Sequence, residues 1–431
     1  MKKVAFHTLG CKVNQYETGA MEKLFEDRGY EIISETEAAD VYVINTCTVT
    51  NLSDRKSRQF IRRVKKLNED SVVAVVGCYS QVSPEEIEDL PFVDVIMGTT
   101  ERNRIVDLCE MAKQESRKFN IVKDIRTNKE FEKLEIDNVN SKTRAYIKIQ
   151  DGCNQYCSYC IIPYARGPIR SRGLEDIVEE AQALSLAGFK ELILTGIHVA
   201  SYGKDLKELS LINVIERIAE IEGIERIRLS SVEPNLIDEE FMKRIVATGK
   251  VCDHFHLSLQ SGSDSVLKRM NRKYTAAEFK EKADIIREFM PHAGLTTDVI
   301  VGFPGETDEE FLETIEFVKE IQFSKIHVFK YSPRKGTPAA DSKEQINGLV
   351  KNERSKTLIS LAETLTEAFN SKFLGKKLEV LFEEENPARA GMYEGYTTNY
   401  IRVKAMSNTD MIGNIKEIHI IDYQEEILIG E

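Results

Sequence analysis

Three cysteines close together in the sequence are the residues best suited to chemistry. Cys153, Cys157 and Cys160 lie in "DGCNQYCSYC", directly after a segment patterned as a strand. Three thiolates at this spacing can bind one metal cluster, and a four-iron cluster held by only three cysteines keeps one iron open for an outside ligand. A structural zinc site is the alternative, but such sites usually take four protein ligands. The spacing favours an iron–sulfur cluster with an open iron.

A second set of cysteines is spread along the first quarter of the chain. Cys11, Cys47 and Cys78 end the segments "KVAFHTLGC", "DVYVINTC" and "SVVAVVGC", each of which is patterned as a buried parallel strand. Ligands of open α/β sheets bind beyond the carboxyl ends of the strands, so these thiols are predicted to converge on a second cluster with an open iron. The alternative is that they pack as small hydrophobic residues. Cys109 and Cys252 fit neither set and are predicted to be structural.

The elements that must position these cysteines indicate an α/β fold in three parts. Residues 2–114 alternate apolar strands with helices, including helices predicted over 15–28 and 53–67, and this pattern predicts an open parallel sheet. In the same part, Ser83 is predicted to cap a helix, with Glu86 three residues later. Residues 115–140 are polar and form a predicted connector with one short strand at "FNIVKD".

The second and third parts of the chain differ from each other in residue pattern. Residues 139–369 contain six successive strand–helix units, which predict a partial (β/α)6 barrel, and a long helix over about 343–373 closes it. Residues 372–431 change to short β-patterned runs separated by Gly and Asn, which predict a small β-barrel.

Bulk properties exclude several classes of protein. The chain has 431 residues, of which 42% are hydrophobic, and it has no long apolar run and no secretory leader, so we predict a cytoplasmic protein with no membrane partner. Eight cysteines in a reducing compartment favour metal binding or catalysis over disulfides. The net charge of −12 opposes general coating of nucleic acid by a basic surface, so any RNA contact must come from a local patch.

The cysteine motif and four longer segments resemble a known family. C-x3-C-x2-C at the first strand of a βα barrel resembles the radical S-adenosylmethionine (SAM) superfamily, and "TLGCKVNQYETGAME", "VINTCTVT", "CNQYCSYCIIPYARG" and "YSPRKGTPA" resemble the methylthiotransferases within it. The form "LGCKVNQYE" is most similar to the branch that acts on N6-threonylcarbamoyladenosine, just 3′ of the anticodon in transfer RNA.

The resemblance implies two 4Fe–4S clusters and SAM as cofactors. The cluster of Cys153, Cys157 and Cys160 would chelate SAM and cleave it to a 5′-deoxyadenosyl radical, which abstracts hydrogen from carbon 2 of the adenine. The cluster of Cys11, Cys47 and Cys78 would supply sulfur, and a second SAM would donate the methyl group.

The resemblance also implies partners and leaves alternatives open. The partners are a tRNA substrate, a flavodoxin- or ferredoxin-like electron donor and a source of sulfur, with no role for DNA. A methylthiotransferase acting on isopentenyladenosine or on a ribosomal protein side chain is an alternative. A protein without catalytic activity, either an iron–sulfur carrier or an RNA-binding protein, is a further one.

Residues that follow the barrel strands are candidates for the SAM site. In the family, an aromatic residue before the last cysteine, here Tyr159, lies beside the adenine of SAM. Glu233 and Gln260 are predicted partners of the SAM amino group or ribose, and Gly302 is predicted to let the backbone approach the cofactor. Ordinary turn chemistry is the alternative for each. The other candidates at strand ends are Gly196, His198, Ser231, Ser261 and Asp298.

Basic residues are the candidates for contacts with RNA. Seven of fourteen residues are basic in "SDRKSRQFIRRVKK", where Arg55, Arg58, Arg62 and Lys65 recur at three- and four-residue steps along one helix face. A solvated surface helix is the alternative. A second predicted patch consists of Arg166, Arg170 and Arg172.

The last part resembles the TRAM module, a small RNA-binding barrel, but it departs from it in charge. From residue 371 onward there are 7 Lys or Arg against 11 Asp or Glu, so RNA binding there would need a local face. Otherwise the module is a structural cap. The candidate residues are Lys376, Lys377, Arg402 and Lys404, with Tyr396 or Tyr400 stacking on bases.

Overall fold

The computed structural model describes residues 1–49, 51–134 and 143–431, with residues 51–53 described by their backbone alone. The predicted α/β fold class is confirmed: a parallel α/β sheet, a partial barrel and a closed β-barrel follow one another along the chain. The predicted start of the central part at residue 139, with the end of the connector, lies outside the described residues. No described helix is long and apolar enough to cross a membrane.

The first part is a six-stranded, wholly parallel sheet with helices on both faces. Its strand order is β2-β1-β3-β4-β5-β6, so β1, β3 and β4 are neighbours at its centre. The elements are β1 (Lys2–Thr8), α1 (Lys12–Asp27), β2 (Tyr30–Ile33), β3 (Val41–Thr46), α2 (Asn51–Leu67), β4 (Val72–Gly77), α3 (Cys78–Val82), α4 (Pro84–Glu88), β5 (Val95–Ile96), α5 (Ile105–Glu115) and β6 (Phe119–Asn120).

Apolar sequence on both faces explains why these central strands pair in parallel. Every residue of β3 and β4 is buried, and their side chains divide between two separate hydrophobic clusters, one on each face of the sheet. The predicted strand at "FNIVKD" is present as β6, which extends this sheet from the connector. Ser83 precedes α4 as predicted, but its side chain makes no capping hydrogen bond, so the predicted cap is wrong.

The second part contains the six predicted strand–helix units. Its elements are β7 (Arg144–Asp151), α6 (Ile162–Arg166), β8 (Arg170–Ser171), α7 (Leu174–Leu186), β9 (Glu191–Gly196), α8 (Leu211–Ala219), β10 (Arg226–Leu229), α9 (Glu239–Ala247), β11 (His254–His256), α10 (Asp264–Arg269), α11 (Ala276–Phe289), β12 (Gly294–Val301), α12 (Asp308–Ile321), β13 (Lys325–Lys330) and α13 (Gly348–Asn370).

These strands form an incomplete barrel. β10-β9-β7 and β11-β12-β13 are parallel sheets, and single bridges at Ile227–Val251 and Val232–Leu257 connect β10 to the β11 strand and its extension. Residues alternate along each strand, with Ile147 and Val299 among those that pack outward in the core shared with the helices. The residues between them along each strand face the lumen, and most of these lumen residues are polar or charged.

The third part is a closed five-stranded barrel that covers the amino ends of the central strands. Its strands are β14 (Lys377–Glu385), β15 (Met392–Thr397), β16 (Arg402–Met406), β17 (Ile415–Gln424) and β18 (Ile427–Gly430). Arg226 and Arg228, at the start of β10, donate hydrogen bonds to backbone carbonyls of residues 379 and 396–398. The small barrel therefore closes the floor of the lumen, at the opposite end from the cysteine loop.

Candidate active site

Cys11, Cys47 and Cys78 meet because three neighbouring strands deliver them to one edge of the sheet. Cys11 precedes α1 three residues after β1 ends, Cys47 follows β3 directly, and Cys78 follows β4 as the first residue of α3. The carboxyl ends of adjacent parallel strands share an edge, as the sequence analysis anticipated. Cys47 and Cys78 are buried and Cys11 is exposed.

The chain is tightly folded around these three thiols. Gly10 has a φ of +107°, and a Cβ at this residue would lie only 2.9 Å from the Cys47 sulfur, so only glycine fits beside the thiol. Burial, together with the neighbouring Cys47 and Cys11 thiols and against the opposing charge of Arg166, raises the pKa of Cys78 to about 12. The three sulfurs thus lie within electrostatic reach of one another.

A buried arginine connects this trio with the central barrel. Nε of Arg166 donates to the sulfur of Cys78 at 3.3 Å, and its NH2 group donates to Asn14 at 2.7 Å and to Glu17 at 3.0 Å. The guanidinium is fully buried. A buried cation directed at a sulfur suits a thiolate and not a thiol, so this environment fits a cysteine that binds metal.

Arg166 belongs to a larger buried ion network at the interface of the first two parts. The Glu17 carboxylate is fully buried. It accepts a hydrogen bond from Arg166 and forms ion pairs with Lys148 at 2.7 Å and with Arg102 at 2.8 Å. Burial alone raises the pKa of Glu17, but the three cations outweigh it and lower the pKa below its ordinary value. The carboxylate is therefore charged and fixes α1 against the lumen face of β7.

The Cys153, Cys157 and Cys160 loop begins where β7 ends, and backbone hydrogen bonds hold it in place. The amide of Cys153 donates to the carbonyl of Gly167, and the amide of Ser158 donates to the carbonyl of Met270. Burial raises the pKa of Cys153 to about 11 and that of Cys160 to about 12, and nearby Cys157 adds to both shifts. These three thiols also form one group.

The trio of Cys153, Cys157 and Cys160 also has its own buried arginine. NH1 of Arg272 donates to the sulfur of Cys157 at 3.4 Å, while NH2 donates to both Glu233 oxygens at 2.8 and 2.9 Å. The side chain is almost completely buried. Each cysteine trio therefore has one arginine that compensates negative charge on its sulfurs, as expected around an anionic cluster.

The structure brings the predicted SAM residues together around the carboxyl end of the barrel. Tyr159 packs against the hydrophobic cluster that contains Phe303, with 6.5 Å between the centroids of the two rings. Glu233 is bound to Arg272 and lies 3.5 Å from Nε2 of His198. Their roles toward SAM stay predictions, but Glu233 already has a cationic partner.

Other predicted SAM residues have structural reasons for their identities. Gly302 has a φ of +68°, and the Cβ it lacks would meet the side chain of Lys351 at 2.4 Å. A Cβ at Gly196 would meet Gln150. Gln260 has a φ of +68°, and its backbone exchanges hydrogen bonds with β12 beyond the end of β11. Ser231 is exposed just after β10.

A group of polar side chains lies in the lumen. His256, Asp298 and His327 face inward from β11, β12 and β13, and their ligand-type atoms lie within 4.8 Å of one another. Nε2 of His256 is 3.3 Å from Asp298, and its Nδ1 is 3.0 Å from the hydroxyl of Thr296. Asp298, predicted as a strand-end candidate, thus belongs to this group.

Two of the predicted RNA-binding residues on α2 are engaged within the protein. Arg58 donates to the hydroxyl of Tyr79, and Lys65 donates to the carbonyl of Ser71. Arg55 and Arg62 are exposed on the same helix. RNA binding by this helix stays a prediction, now narrowed to its exposed members.

One other RNA prediction is wrong because its residues are buried. Arg166, Arg170 and Arg172 are less than 10% exposed and form internal contacts, so they make no surface patch. Tyr400 is half-buried on the lumen floor, against the guanidinium groups of Arg144 and Arg228, and its stacking on bases stays a prediction.

The basic face predicted for the small barrel is also largely neutralised by ion pairs. Tyr396 stacks on Tyr400, with 5.0 Å between the ring centroids, and Arg402 and Lys404 both pair with Glu394. Lys377 pairs with Glu417. This arrangement supports the alternative of a structural cap.

Comparisons with known proteins agree with this architecture. Residues 147–318 match the model of the Radical SAM superfamily, and residues 3–98 match the model described as Uncharacterized protein family UPF0004. The threonylcarbamoyladenosine tRNA methylthiotransferase MtaB of Bacillus subtilis (strain 168) is 45% identical over 424 residues, which cover 98% of this chain and 94% of the relative. The chain belongs to the radical SAM methylthiotransferase family.

Another relative of this methylthiotransferase carries a different substrate in its name. The tRNA-2-methylthio-N(6)-dimethylallyladenosine synthase of Clostridium tetani (strain Massachusetts / E88) is 36% identical, and the match covers 98% of this chain and 95% of the relative. Among solved structures, the radical SAM methyltransferase TsrM from Kitasatospora setae has a TM-score of 0.57 at 17% identity, covering 79% of this chain and 77% of that one. The latter likeness concerns the fold alone.

Sequence reasoning missed the buried ion pairs of the methylthiotransferase site. Arg272 in "RMNRKYT" gave no signal, because a basic residue in a polar segment usually faces water. Glu17 and Arg166 lie inside the motifs "NQYE" and "YARG", six residues from the nearest cysteine in each case. That closeness was the available signal, but it does not reveal that the two residues pair.

Proposed function

We propose that this chain converts N6-threonylcarbamoyladenosine, 3′ of the anticodon in tRNA, to its 2-methylthio derivative, using SAM and two 4Fe–4S clusters. The supporting observation is the pair of cysteine trios, each with a buried arginine that donates to a cysteine sulfur. Arg166 lies only six residues beyond Cys160 yet contacts Cys78, so the two trios border one chamber.

The residues of this chamber have distinct tasks in the proposed reaction. When bound, the cluster of Cys153, Cys157 and Cys160 would supply the electron that cleaves SAM, and the cluster of Cys11, Cys47 and Cys78 would supply sulfur. Arg166 and Arg272 stabilise the charge of the sulfur ligands. The small barrel covers the floor of the lumen and limits access of water from that end, which would protect a reactive radical from side reactions.

The partners follow from this chemistry. A flavodoxin- or ferredoxin-like donor would supply electrons, and a sulfur source would restore the second cluster after each turnover. The exposed Arg55 and Arg62 on α2, in the helix that follows Cys47, are the proposed contacts for tRNA phosphates.

The direct test is incubation of the reconstituted protein, under anaerobic conditions, with SAM, a reductant and tRNA that carries threonylcarbamoyladenosine. We expect mass spectrometry of the digested tRNA to show the 2-methylthio nucleoside, with 5′-deoxyadenosine as the co-product. A parallel reaction with tRNA carrying dimethylallyladenosine tests the alternative substrate. Conversion of the dimethylallyl tRNA alone would contradict the proposal.

The variant Cys157→Ala is expected to lose SAM cleavage. Two remaining thiolates do not hold the first cluster, and Arg272 loses its sulfur partner. We expect no 5′-deoxyadenosine above background and an iron content of about four per chain instead of about eight. Cys252→Ala, at a buried cysteine outside both trios, is the matched control and should keep full iron and activity. Normal SAM cleavage by Cys157→Ala would refute the assignment.

A further inference from the structure

Lys12 enters the lumen from the side of the sulfur-donating trio. It follows Cys11 directly and is the first residue of α1. Its Nζ lies 5.9 Å from the centre of the Tyr146 ring, and Tyr146 faces the lumen from β7. The ammonium therefore lies inside the chamber, between the trio of Cys11, Cys47 and Cys78 and the floor.

Lys12 differs from the other cations around it in having no anionic partner. Arg144 pairs with Glu383, and Arg228 donates to Glu191 at 2.6 Å. Across the ranges that the structure describes, Lys12 has the aromatic contact but no carboxylate within ion-pair distance. An ammonium that is partly removed from water without an anion is unfavourable, and an anionic ligand would relieve this cost.

The surroundings leave Lys12 as the cation that a ligand can reach. The guanidinium groups of Arg144 and Arg228 lie 5.5 and 4.6 Å from the centre of the Tyr400 ring, so the floor loop partly covers them. His254 is nearby, but burial lowers its pKa well below the ordinary value, so the imidazole is neutral. Among the cations described at this end of the lumen, Lys12 is therefore the one without an anionic partner, and one ammonium fits one carboxylate.

We infer that Lys12 binds the carboxylate of the threonylcarbamoyl group and so selects this substrate. The inference rests on the proposed function. A threonylcarbamoyl group attached to N6 ends in a carboxylate, whereas a dimethylallyl group has no charge. N6 is attached to carbon 6 of the six-membered ring that also contains carbon 2, so a receptor for the N6 substituent must lie near the source of sulfur. Lys12 meets this requirement because its neighbour in the chain is Cys11.

The test is a cycle that combines a protein variant with a substrate variant. The substrates are tRNA with the native threonylcarbamoyl group and tRNA in which its carboxylate is replaced by an uncharged amide. We expect Lys12→Met to lower kcat/KM for the native tRNA roughly 10- to 100-fold, mainly through KM, as measured for close charge pairs at interfaces. Lys12→Arg keeps the charge and should recover most of this loss. The amide substrate should be converted equally by wild-type protein and Lys12→Met.

The outcomes separate the inference from the proposed function. If wild-type protein does not modify the native tRNA, the proposed function fails and the inference fails with it. If wild-type protein modifies it and Lys12→Met is equally efficient, only the inference fails. An equal loss for both substrates would mean that Lys12 serves an RNA phosphate or the fold, and this also overturns it. Iron content and the visible absorption of each variant verify that both clusters are present.

Discussion

Cys47→Ala is expected to abolish methylthio transfer to tRNA while SAM cleavage continues. Cys47 lies beyond β3, between the strand ends that deliver Cys11 and Cys78, and its loss leaves that trio with two thiolates. The loop of Cys153 follows a different strand and has its own arginine partner, so it should keep its cluster. We expect product formation to fall at least about 100-fold, because the reaction loses the sulfur donor that is proposed to be held beside its target.

Three measurements on the same sample define this result. Iron should fall to about four per chain, 5′-deoxyadenosine should still form, and the 2-methylthio nucleoside should be absent. Cys109→Ala is the matched control, since Cys109 is equally buried but lies in the core of the first sheet. It should lose some stability and keep transfer. Normal methylthiolation by Cys47→Ala would mean that this trio is not the source of sulfur.

The placement of the six cysteines was predictable because it depends on local pattern and sheet geometry. Fully apolar segments predict parallel strands, adjacent parallel strands end at one edge, and β1, β3 and β4 are indeed adjacent. The C-x3-C-x2-C spacing in one loop is local by definition. Helix ends were less exact: α1 begins at Lys12 and not at residue 15, so Lys12 was not recognised as part of the helix.

The buried ion pairs were not predictable, because they join residues far apart in the chain. Arg166 contacts Cys78 across 88 residues, and Arg272 contacts Cys157 across 115. A basic residue in a loop has the same sequence signature whether it binds RNA or a buried sulfur. This is why Arg166, Arg170 and Arg172 were assigned to a surface patch that does not exist.

The floor of the lumen illustrates the same limit for aromatic residues. Tyr400 in "TTNYIRVK" fits a base-stacking surface as well as a buried contact. In the structure the ring lies 4.8 Å from that of His254 and against two arginines, so it faces the lumen and not the outer surface of the small barrel. The face of the small barrel that contacts the central part depends on how the two parts dock. The residue pattern of the small barrel alone does not predict that docking.

Glu17→Ala, at a buried residue of α1, is expected to cause a large loss of stability. The Glu17 carboxylate is fully buried and neutralises Arg102, Lys148 and Arg166, which belong to both the first and the second part of the chain. Its removal leaves three buried cations without this partner, and breaking a buried pair from one side typically costs about 3–5 kcal/mol. We expect the free energy of unfolding to fall by about this amount.

Denaturant unfolding of the anaerobic protein, followed by circular dichroism, measures this change. Glu17→Gln should lose nearly as much stability as Glu17→Ala, because its neutral amide keeps the volume but not the charge. Glu26→Ala, at an exposed residue of the same helix, should change stability by less than about 0.5 kcal/mol. Arg166 also donates to Cys78. The Glu17 variants should therefore release iron from the trio of Cys11, Cys47 and Cys78 before the trio of Cys153, Cys157 and Cys160. A Glu17→Gln protein with wild-type stability would show that volume, and not charge, fixes α1 against the barrel.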